Sequence, residues 1–469
     1  MKQAVFGRKE EKDRLDKIYN SGKNEFVAIY GRRRVGKTYL IKEHFKSRLN
    51  FYYTGIYKAT KAEQLREFTR MLSAAAGTKL SRPKSWFDAF ALLKDYIESL
   101  RNRKRILIFF DELPWMDTQK SEFLRSFEFF WNSYGSALPN LMMIVCGSAT
   151  TWMRDKLFGN KGGLYNRMTN TMYLAPFSLA ETEEFLKARG LAFNRYQILE
   201  TYMILGGIPL YLSMLEKEFS LTQNVDRLFF SINAKLKSEY KFLFSSQFSE
   251  SAMGKNIVEL LAKKAVGMSR LEIKQALKIP DGGKLSSTLN DLIDSDFVRS
   301  YSAFGKKERE TIYQLSDLFS LFYLRYVGGY SGNDEHHWTN MVDSPSKRAW
   351  SGYAFEQVCF HHIAQIKKKL GISGVEANVF SCKGNDFQID MLIDRRDSVV
   401  NLCEMKFSLS EFEIDKDYDE HLRERRELFR AASKTKKSLY LTMITTYGLK
   451  QNQYSGNIQS EIVADDLFE

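Results

Sequence analysis

Short apolar runs alternate with amphipathic stretches along the first third of the chain. "EFVAIYG", "LNFYYTG", "RILIFFDEL" and "NLMMIVCGSA" are apolar runs of strand length, and helical spacing lies between them, as in "SWFDAFALLKDYIESLRNR". Strands that alternate with helices indicate βαβ units and a parallel sheet that is covered on both faces. We therefore predict an α/β core over residues 1–175.

The pattern changes after residue 175. Residues 176–250 show helical spacing only, and "SLAETEEFLKARG" opens with Ser178 and Glu181, a capping pair that predicts a helix start. Residues 251–330 predict three helices, one of them capped by Ser269 and Glu272, and then two strands around a basic turn at Gly305–Lys307. This order is typical of a winged helix-turn-helix.

The last part of the chain predicts a separate α/β domain. Residues 331–345 are rich in Gly, Ser, Asn and Asp, which is typical of a linker. Residues 346–469 then predict helices at Lys347–Leu370 and Tyr418–Ala432, strands at Val375–Phe380, Phe387–Asp394 and Val399–Lys406, and a final strand in "SLYLTMIT".

Composition is consistent with several soluble domains. The chain has 469 residues, and a single core rarely grows beyond ~250–300 residues. No apolar run approaches the ~18–20 residues of a membrane span, and the N-terminus lacks the apolar region of a secretory signal. We expect a cytoplasmic protein without a membrane partner. The net charge of +13 favours polyanion partners, with nucleic acid first.

The four cysteines do not indicate a zinc site or a disulfide framework. None forms a CxxC pair. Cys146 and Cys403 lie within apolar runs, so core packing explains them better than reactivity. The adjacent His361 and His362 point in different directions on a predicted helix, which disfavours a shared metal ion.

"GRRRVGKT" predicts a nucleotide site. It follows a predicted strand, opens a predicted helix and fits G-x-x-x-x-G-K-[ST]. In this pattern backbone amides surround the phosphates, the lysine reaches the β- and γ-phosphates and the threonine hydroxyl binds Mg²⁺. The predicted ATP-binding residues of this loop are Gly31, Arg32, Arg33, Arg34, Val35, Gly36, Lys37 and Thr38.

Two carboxylates at the end of "ILIFFDE" complete this prediction. Asp111 would hold Mg²⁺ together with Thr38, and Glu112 would polarise the attacking water. Either residue alone could cap the next turn instead. Both together with the phosphate loop favour ATP hydrolysis.

At this point the chain resembles the archaeal-type ATPase family of the AAA+/STAND superfamily. Gly7 and Arg8 in "VFGRKEEKDRL" resemble its GRxxE motif, which implies a position against the adenine. Ser148 resembles the polar sensor residue on the fourth strand, and Pro209 in "GGIP" resembles the lid motif. Arg167 resembles an arginine that reaches the γ-phosphate in cis or from a neighbouring subunit, although a surface salt bridge is an equal reading.

Near the C-terminus, "QIDMLIDRRDSVVNLCEMK" places three charged residues in strand-like runs. Asp390 and Glu404 can meet at one edge of a sheet, and Glu404 and Lys406 share a face because side chains alternate along a strand. Paired carboxylates favour a divalent cation, and a nearby lysine can stabilise the transition state of phosphodiester cleavage. Glu356 on the preceding helix is a further candidate.

This order of a helix Glu, a strand Asp and a strand E-x-K resembles the PD-(D/E)XK nuclease superfamily. The resemblance implies Asp390 and Glu404 as Mg²⁺ ligands, Lys406 as the catalytic lysine and Glu356 as an auxiliary acid. No proline precedes the strand Asp, which departs from the family pattern. The alternatives are an exposed Glu404–Lys406 ion pair, a turn-capping Asp390, or a nuclease fold that only binds DNA.

The predicted fold class is therefore α/β and multidomain, with a P-loop parallel-sheet ATPase core, a helical lid, a winged helix and a restriction-endonuclease-like α/β C-terminal domain. We expect ATP and Mg²⁺ as cofactors, and coupling of hydrolysis to DNA binding and cleavage. The recognition helix would lie near Lys284–Leu292, and the Lys306–Lys307 wing would contact phosphate. The alternative is a STAND-type ATP switch or regulator with a non-catalytic C-terminal domain that acts through protein or DNA binding. A homo-oligomer or a protein partner is a further candidate. For Lys416, Arg423, Arg425 and Arg426, a solvated face is favoured over a phosphate-contacting stripe.

Overall fold

The computed structural model describes residues 5–148, 150–159, 163–164, 166–247, 251–302, 311–342, 344–384 and 386–469. Contacts divide the chain into two compact units. One comprises Met1–Pro176 and Ser245–Ser249, and the other Phe177–Phe244 and Glu250–Glu469. Within the described ranges, no helix combines the length and the apolar character that crossing a membrane requires.

The first unit is built on a parallel sheet. Its strands are β1 (Glu25–Tyr30), β2 (Phe51–Thr54), β3 (Ile106–Asp111), β4 (Leu141–Gly147) and β5 (Asn170–Tyr173). Their order is β2-β3-β4-β1-β5, and every pairing is parallel. The predicted parallel sheet is confirmed, and β5 is an additional edge strand of four residues.

Helices cover this sheet because their apolar faces pack on it. They are α1 (Lys9–Tyr19), α2 (Lys37–Phe45), α3 (Lys61–Ala76), α4 (Trp86–Ser99), α5 (Phe123–Ser133) and α6 (Thr150–Trp152), and a π-helical turn continues α6 over Met153–Phe158. Trp86, Phe90, Phe127 and Trp131 pack with the strand residues in one apolar core. Capping boxes at Thr60 and Ser85 fix the starts of α3 and α4.

The second unit begins with helices. They are α7 (Leu179–Ala188), α8 (Arg195–Leu205), α9 (Pro209–Leu212), α10 (Leu221–Phe229) and α11 (Glu239–Gln247). The predicted capping pair of Ser178 and Glu181 is confirmed at α7. α8 ends where Gly206 adopts a left-handed conformation, and α9 begins at Pro209.

Three helices and a small antiparallel sheet follow. The helices are α12 (Ser251–Leu261), α13 (Arg270–Leu277) and α14 (Gly283–Asp294), and the strands β6 (Met268–Ser269), β7 (Val298–Ser302) and β8 (Thr311–Leu315) pair in the order β6-β8-β7. The Ser269–Glu272 capping pair is confirmed. The basic turn at Gly305–Lys307 lies outside the described residues.

The stretch 331–345 is not a free linker. After α15 (Leu318–Phe322) and a π-helical turn at Tyr323–Val327, Trp338 is buried against Phe322 and Tyr326. Asp226 accepts hydrogen bonds from the Trp338 and Thr339 amides. Composition predicted a linker because the polar residues outnumber this one tryptophan, whose burial depends on distant partners.

The C-terminal part contains a mixed five-stranded sheet. Its strands are β9 (Ala377–Lys383), β10 (Gln388–Arg395), β11 (Val399–Lys406), β12 (Ser438–Thr445) and β13 (Ser460–Val463), in the order β13-β12-β11-β10-β9. β9, β10 and β11 pair antiparallel, whereas β11, β12 and β13 pair parallel. α18 (Lys416–Ser433) connects β11 to β12.

The predicted single helix Lys347–Leu370 is two helices, α16 (Pro345–His361) and α17 (Ile363–Lys369). His362 lies at the break. Its Nδ1 hydrogen-bonds the Val358 carbonyl, and its Nε2 accepts a hydrogen bond from the Leu179 amide. Burial lowers the pKa of His362 to about 4, which keeps the ring neutral and able to accept that bond.

Candidate functional site

The phosphate loop connects β1 to α2 and has the backbone that its glycines permit. Gly31 has φ 141, and a Cβ at this position would lie 2.5 Å from the Leu174 carbonyl oxygen, so only glycine fits. Gly36 has φ 91 and open space around it, and it directly precedes α2. The loop therefore presents the N-terminus of α2, which favours bound phosphate.

Lys37 and Arg8 hold the loop in this conformation. The buried Lys37 Nζ donates to the carbonyl oxygens of Gly31 (2.9 Å) and Arg32 (3.0 Å). Arg8, in the sequence-predicted adenine motif next to Gly7, donates to the carbonyls of Val35 (3.3 Å) and Ala175 (2.6 Å). The N-terminal motif thus contacts the phosphate loop directly.

The two predicted Mg²⁺ ligands of this site lie together. The Thr38 hydroxyl on α2 donates to Asp111 Oδ2 at 2.8 Å, although β4 lies between β1, which precedes the loop, and β3, which ends at Asp111. Tyr52 OH also donates to Oδ2 (3.3 Å), and Cys146 Sγ donates to Oδ1 (2.6 Å). Burial, reinforced by the Asp111 charge, raises the pKa of both Tyr52 and Cys146. They therefore stay protonated and donate to the carboxylate.

Glu112 and Ser148 form the second pair. Glu112 adopts a left-handed backbone conformation with φ 48 at the end of β3. Its Oε2 accepts hydrogen bonds from the Ser148 amide (3.1 Å) and hydroxyl (2.9 Å), directly after β4. The carboxylate predicted to polarise water is thus held by the predicted sensor residue.

The C-terminal carboxylates meet across β10 and β11. These strands pair antiparallel with Met391 opposite Cys403, and Asp390 Oδ2 accepts a hydrogen bond from the Met405 amide at 2.9 Å. A register shift between β9 and β10 lies at Ile389–Leu392, so Asp390 belongs to a β-bulge. Bulges re-aim side chains beside active sites.

Glu404 is buried and pairs with an arginine side chain that the sequence did not assign to it. Arg425 Nη1, on α18, lies 2.7 Å from Glu404 Oε2, and Tyr418 OH donates to the same oxygen at 3.4 Å. Lys406 Nζ lies 5.2 Å from the centroid of the Tyr418 ring. The expectation that Arg425 belongs to a solvated face was wrong, because α18 turns this one residue toward β11.

The other basic residues of that helix pair with acids on α18 itself. Lys416 lies 3.9 Å from Glu420, Arg423 lies 2.9 Å from Asp419 and Arg426 lies 3.2 Å from Glu427. Local pairs of this kind are typical of a solvated helix surface.

Glu356, Asp390 and Glu404 form what we call the carboxylate cluster, and burial together with the Asp390 charge determines the pKa values of its glutamates. Burial, followed by the Asp390 charge, raises the pKa of Glu404 to about 7 and that of Glu356 to about 8. Burial also raises the pKa of Asp390. Nearby cations, Arg425 and Lys406 among them, oppose these shifts without cancelling them. The Asp390 charge thus raises the pKa of both glutamates, and a site with this excess of negative charge favours an added cation.

The hydrogen bonds leave carboxylate oxygens available for such a cation. Asp390 Oδ1, Glu404 Oε1 and both Glu356 oxygens accept no hydrogen bond from the described residues. Among the residues that the structure describes, no three His, Cys, Asp or Glu side chains lie close enough together to hold a metal ion. Asp390 and Glu404 therefore remain the candidate ligands of a cation, and Glu356 remains a candidate auxiliary acid.

Arg299 on β7 is a further residue of this cluster that sequence reasoning missed. Its guanidinium donates to Gln314 and, at 2.9 Å, to the Ser381 hydroxyl, and it lies 3.1 Å from the centroid of the Phe360 ring. Burial lowers the pKa of Arg299 to about 10, which the charge of Glu356 partly opposes. The small sheet thus contributes a positive charge close to the carboxylates.

A comparison with protein families identifies the N-terminal part. Residues 5–215 match the family model described as an ATPase domain predominantly from Archaea. This part of the chain is an archaeal-type ATPase domain. The match begins at the Gly7–Arg8 motif and ends beyond Pro209.

Individual proteins resemble the chain over different lengths. An uncharacterized protein of Methanocaldococcus jannaschii is 27% identical over 367 residues, which cover 77% of each protein. A Walker-type ATPase of Pyrococcus abyssi covers 68% of this chain and 96% of its own at 21% identity and a TM-score of 0.46. The ORC2 protein of Aeropyrum pernix covers 68% of this chain and 93% of its own at 16% identity and the same TM-score. With TM-scores below 0.5, the family match and not the structural likeness identifies the ATPase domain.

The remaining predicted residues of the ATPase domain are Arg33 and Arg34 within the loop, and Arg167 and Pro209 outside it. Arg167 is exposed, and its side chain pairs with no carboxylate among the described residues. Arg33 lies over the ring of Trp115, with 5.3 Å between its Cζ and the centroid, and Arg34 adopts a left-handed conformation. Pro209 belongs to the second compact unit, where it begins α9. The roles of these residues remain predictions.

Proposed function

We propose that the ATPase domain hydrolyses ATP with Mg²⁺ and that this hydrolysis is coupled to DNA binding and cleavage by the C-terminal domain. One observation supports the first part of this proposal, ATP hydrolysis by the ATPase domain. The hydrogen bonds Thr38–Asp111 and Ser148–Glu112 bring together, in two pairs, the four side chains that metal binding and water activation would need.

The roles follow from this geometry. Lys37 leaves the carbonyls of its own loop and binds the β- and γ-phosphates, while the amides before α2 surround them. Thr38 and Asp111 would hold Mg²⁺, which neutralises phosphate charge when bound. Glu112 orients the attacking water and accepts its proton. Ser148 holds that carboxylate, so a γ-phosphate that draws the serine away would also move the base.

Arg167 remains the candidate for the γ-phosphate contact. Its exposure supports a contact supplied to a neighbouring copy, since an exposed arginine is accessible to a second subunit. ATP-dependent change in mass, measured by light scattering with wild type and Arg167→Ala, tests this role. If the mass does not change with ATP, Arg167 does not act on a neighbouring copy. It could then contact the γ-phosphate only within its own chain.

The ATPase proposal is tested with nucleotide binding and turnover. Lys37→Ala should abolish Mg²⁺-dependent ATP binding, because the lysine supplies the charge that neutralises the phosphates. Glu112→Gln should bind ATP as wild type does but lose on the order of 10²-fold in turnover. Unchanged turnover in Glu112→Gln would contradict the assignment of the base.

For the C-terminal domain, the charge balance supports phosphodiester chemistry. Asp390 and Glu404 would hold Mg²⁺, which activates water and neutralises the scissile phosphate when bound. Lys406, on the same strand as Glu404, would stabilise the charge that develops on the phosphate. Arg425 orients Glu404, and the helix α14 with Lys284–Leu292 would bind the DNA groove.

Cleavage is tested by nicking of supercoiled plasmid in Mg²⁺. Asp390→Asn and Glu404→Gln should remove the activity. Glu413→Gln is the matched control, because Glu413 is an exposed carboxylate of the same domain that pairs with Lys450 at 3.0 Å. Equal residual nicking in all variants would refute cleavage by this site.

A second candidate function is an ATP-dependent switch without cleavage. The Arg425–Glu404 pair favours it, because an arginine that pairs with a buried carboxylate can be a structural element that needs no metal. The segment 251–330 would then contact a protein partner. A nucleic-acid binder loses affinity steeply with salt, so a DNA titration at several salt concentrations separates the two functions.

A further inference from the structure

Four aromatic rings lead from the carboxylate cluster to the surface. Phe355, the residue before Glu356, lies 5.6 Å from Phe407, the residue after Lys406. Phe407 stacks on Tyr196 with 5.0 Å between ring centroids and 18° between planes. Tyr196 in turn stacks on Tyr447 at 6.0 Å and 9°. We name these four residues the aromatic stack.

Exposure increases along the aromatic stack. Phe355 is buried, Phe407 and Tyr196 are half-buried, and Tyr447 is 47% exposed. Among the described rings, none packs on the far side of Tyr447. The stack therefore ends with an accessible flat face whose orientation the rings beneath it fix.

The position of this face relates it to the candidate cleavage site. β11 and β12 are parallel neighbours, and Lys406 lies opposite Thr445 at their carboxyl ends. Phe407 directly follows β11, and Tyr447 follows β12 by two residues. Ligands of open α/β sheets bind beyond the carboxyl ends of parallel strands, which is where the stack ends.

The charges around the stack do not oppose a polyanion. Asp465 and Glu200, whose charges add to burial in raising the pKa of Tyr447, both pair with cations. Glu200 lies 3.2 Å from Lys347, and Asp465 lies 3.3 Å from Arg195. Lys406 adds a positive charge beside Phe407, and the chain as a whole carries +13.

We infer that the aromatic stack is a binding platform for one unpaired nucleobase of a single-stranded nucleic acid. A base stacks on the exposed face of Tyr447 and continues the sequence of parallel rings, while the adjoining phosphate lies toward Lys406. Bases stack on aromatic side chains without sequence preference, because every base has a π-face. This inference rests on the proposed phosphodiester chemistry and adds its substrate class, which is a strand with accessible bases.

The test is anisotropy of a short fluorescent oligodeoxythymidylate in EDTA, which prevents cleavage. Tyr447→Ala should weaken binding about tenfold, and Tyr447→Trp should retain wild-type affinity because it restores a flat ring. Tyr440→Ala is the matched control, since Tyr440 is 38% exposed on β12 and stacks on no described ring. It should bind as wild type does.

An abasic oligonucleotide of the same length separates stacking from charge. The abasic strand keeps the phosphates but offers no base. Wild type should therefore bind it as weakly as Tyr447→Ala binds the thymidine strand. The Tyr447→Ala substitution should not weaken binding of the abasic strand any further. Equal affinity of wild type for the two strands, or wild-type affinity in Tyr447→Ala, would overturn the platform. So would equal affinity for a duplex, whose bases are already stacked.

The outcome does not depend on cleavage. If Asp390→Asn nicks plasmid as wild type does, the proposed nuclease function fails, whereas the binding comparisons in EDTA still decide the role of Tyr447. If nicking requires Asp390 but Tyr447→Ala binds normally, the cleavage proposal stands and the platform is wrong.

Discussion

Replacing Glu356 by glutamine is expected to stabilise the C-terminal part of the protein at alkaline pH. The Glu356 side chain is half-buried, and burial followed by the Asp390 charge raises its pKa from 4.5 to about 8. The folded protein therefore holds a proton that the unfolded chain has already lost at neutral pH. Between these two values the unfolding free energy falls as pH rises, because the unfolded state binds fewer protons.

The magnitude follows from the same values. At about 1.4 kcal/mol per pH unit, a rise from 4.5 to about 8 corresponds to at most ~5 kcal/mol above pH 8. The charges of Asp390 and Glu404 contribute to the raised pKa of Glu356, so part of this free energy belongs to the group and not to one residue. We expect Glu356→Gln to raise the unfolding free energy by ~2–4 kcal/mol at pH 9. At pH 5 the gain should be close to zero, because the Glu356 carboxyl of the folded wild type is then protonated and neutral, as glutamine is.

The assay must report on the C-terminal sheet alone, because a chain of two compact units does not unfold in one step. Pulsed hydrogen exchange at increasing urea, read on peptides from β10 and β11, gives that local stability. Glu376→Gln is the matched control, since Glu376 is 67% exposed and pairs with Arg396. Its effect should stay within about 0.5 kcal/mol at both pH values.

Two results would refute this reasoning. A gain of equal size at pH 5 and pH 9 would show that lost packing, and not the buried charge, distinguishes the variant. Absence of any gain at pH 9 would show that cations such as Arg299 and Lys406 already compensate Glu356 fully. If the cluster binds a divalent cation, Mn²⁺ at pH 9 should also reduce the difference in unfolding free energy between Glu356→Gln and wild type. The ion offsets the repulsion among the carboxylates of the wild type.

Three further predictions concern the other contacts. Ser148→Ala removes one of the two hydrogen bonds to Glu112, so ATP turnover should fall about tenfold at unchanged ATP affinity; phosphate release at saturating ATP measures this, and normal turnover would contradict it. Gly31→Ala brings a Cβ within 2.5 Å of a backbone carbonyl, so ATP affinity measured by calorimetry should fall at least about tenfold; wild-type affinity would show that the loop adapts. Arg425→Gln removes the cation 2.7 Å from Glu404, so the pKa of Glu404 should rise and the pH midpoint of Mn²⁺ binding should move up by about one unit; an unchanged midpoint would assign Arg425 no electrostatic role.

The sequence predicted the ATPase sheet well because buried parallel strands are continuous apolar runs with turn signals between them. It missed β5, whose four residues "NTMY" include polar side chains at an edge. It also missed Tyr52 and Cys146 as partners of Asp111. Their contact depends on the lateral order of β2, β3 and β4, and no local pattern encodes that order.

In the C-terminal domain the predicted strand Val399–Lys406 agrees with β11, and the neighbouring strand differs from β10 by one residue at each end. Alternation therefore sufficed to predict that Asp390 and Glu404 lie close together. The bulge that carries Asp390 left no sequence signal, because it arises from the pairing of β9 with β10. Arg425, the cation that pairs with Glu404, lies 21 residues away on a helix whose other lysines and arginines pair with acids of the same helix.

These differences have one physical origin. Motif residues such as Lys37, Thr38, Glu404 and Lys406 act at fixed spacing along one element, and backbone geometry alone converts that spacing into position. A buried carboxylate must in addition be compensated, since an isolated buried charge is costly. The compensating group can come from any element that reaches it, as Arg299 does from the small sheet, more than fifty residues before the carboxylates it approaches. Sequence reasoning that finds a buried carboxylate without a local partner should therefore predict a distant cation as part of the site.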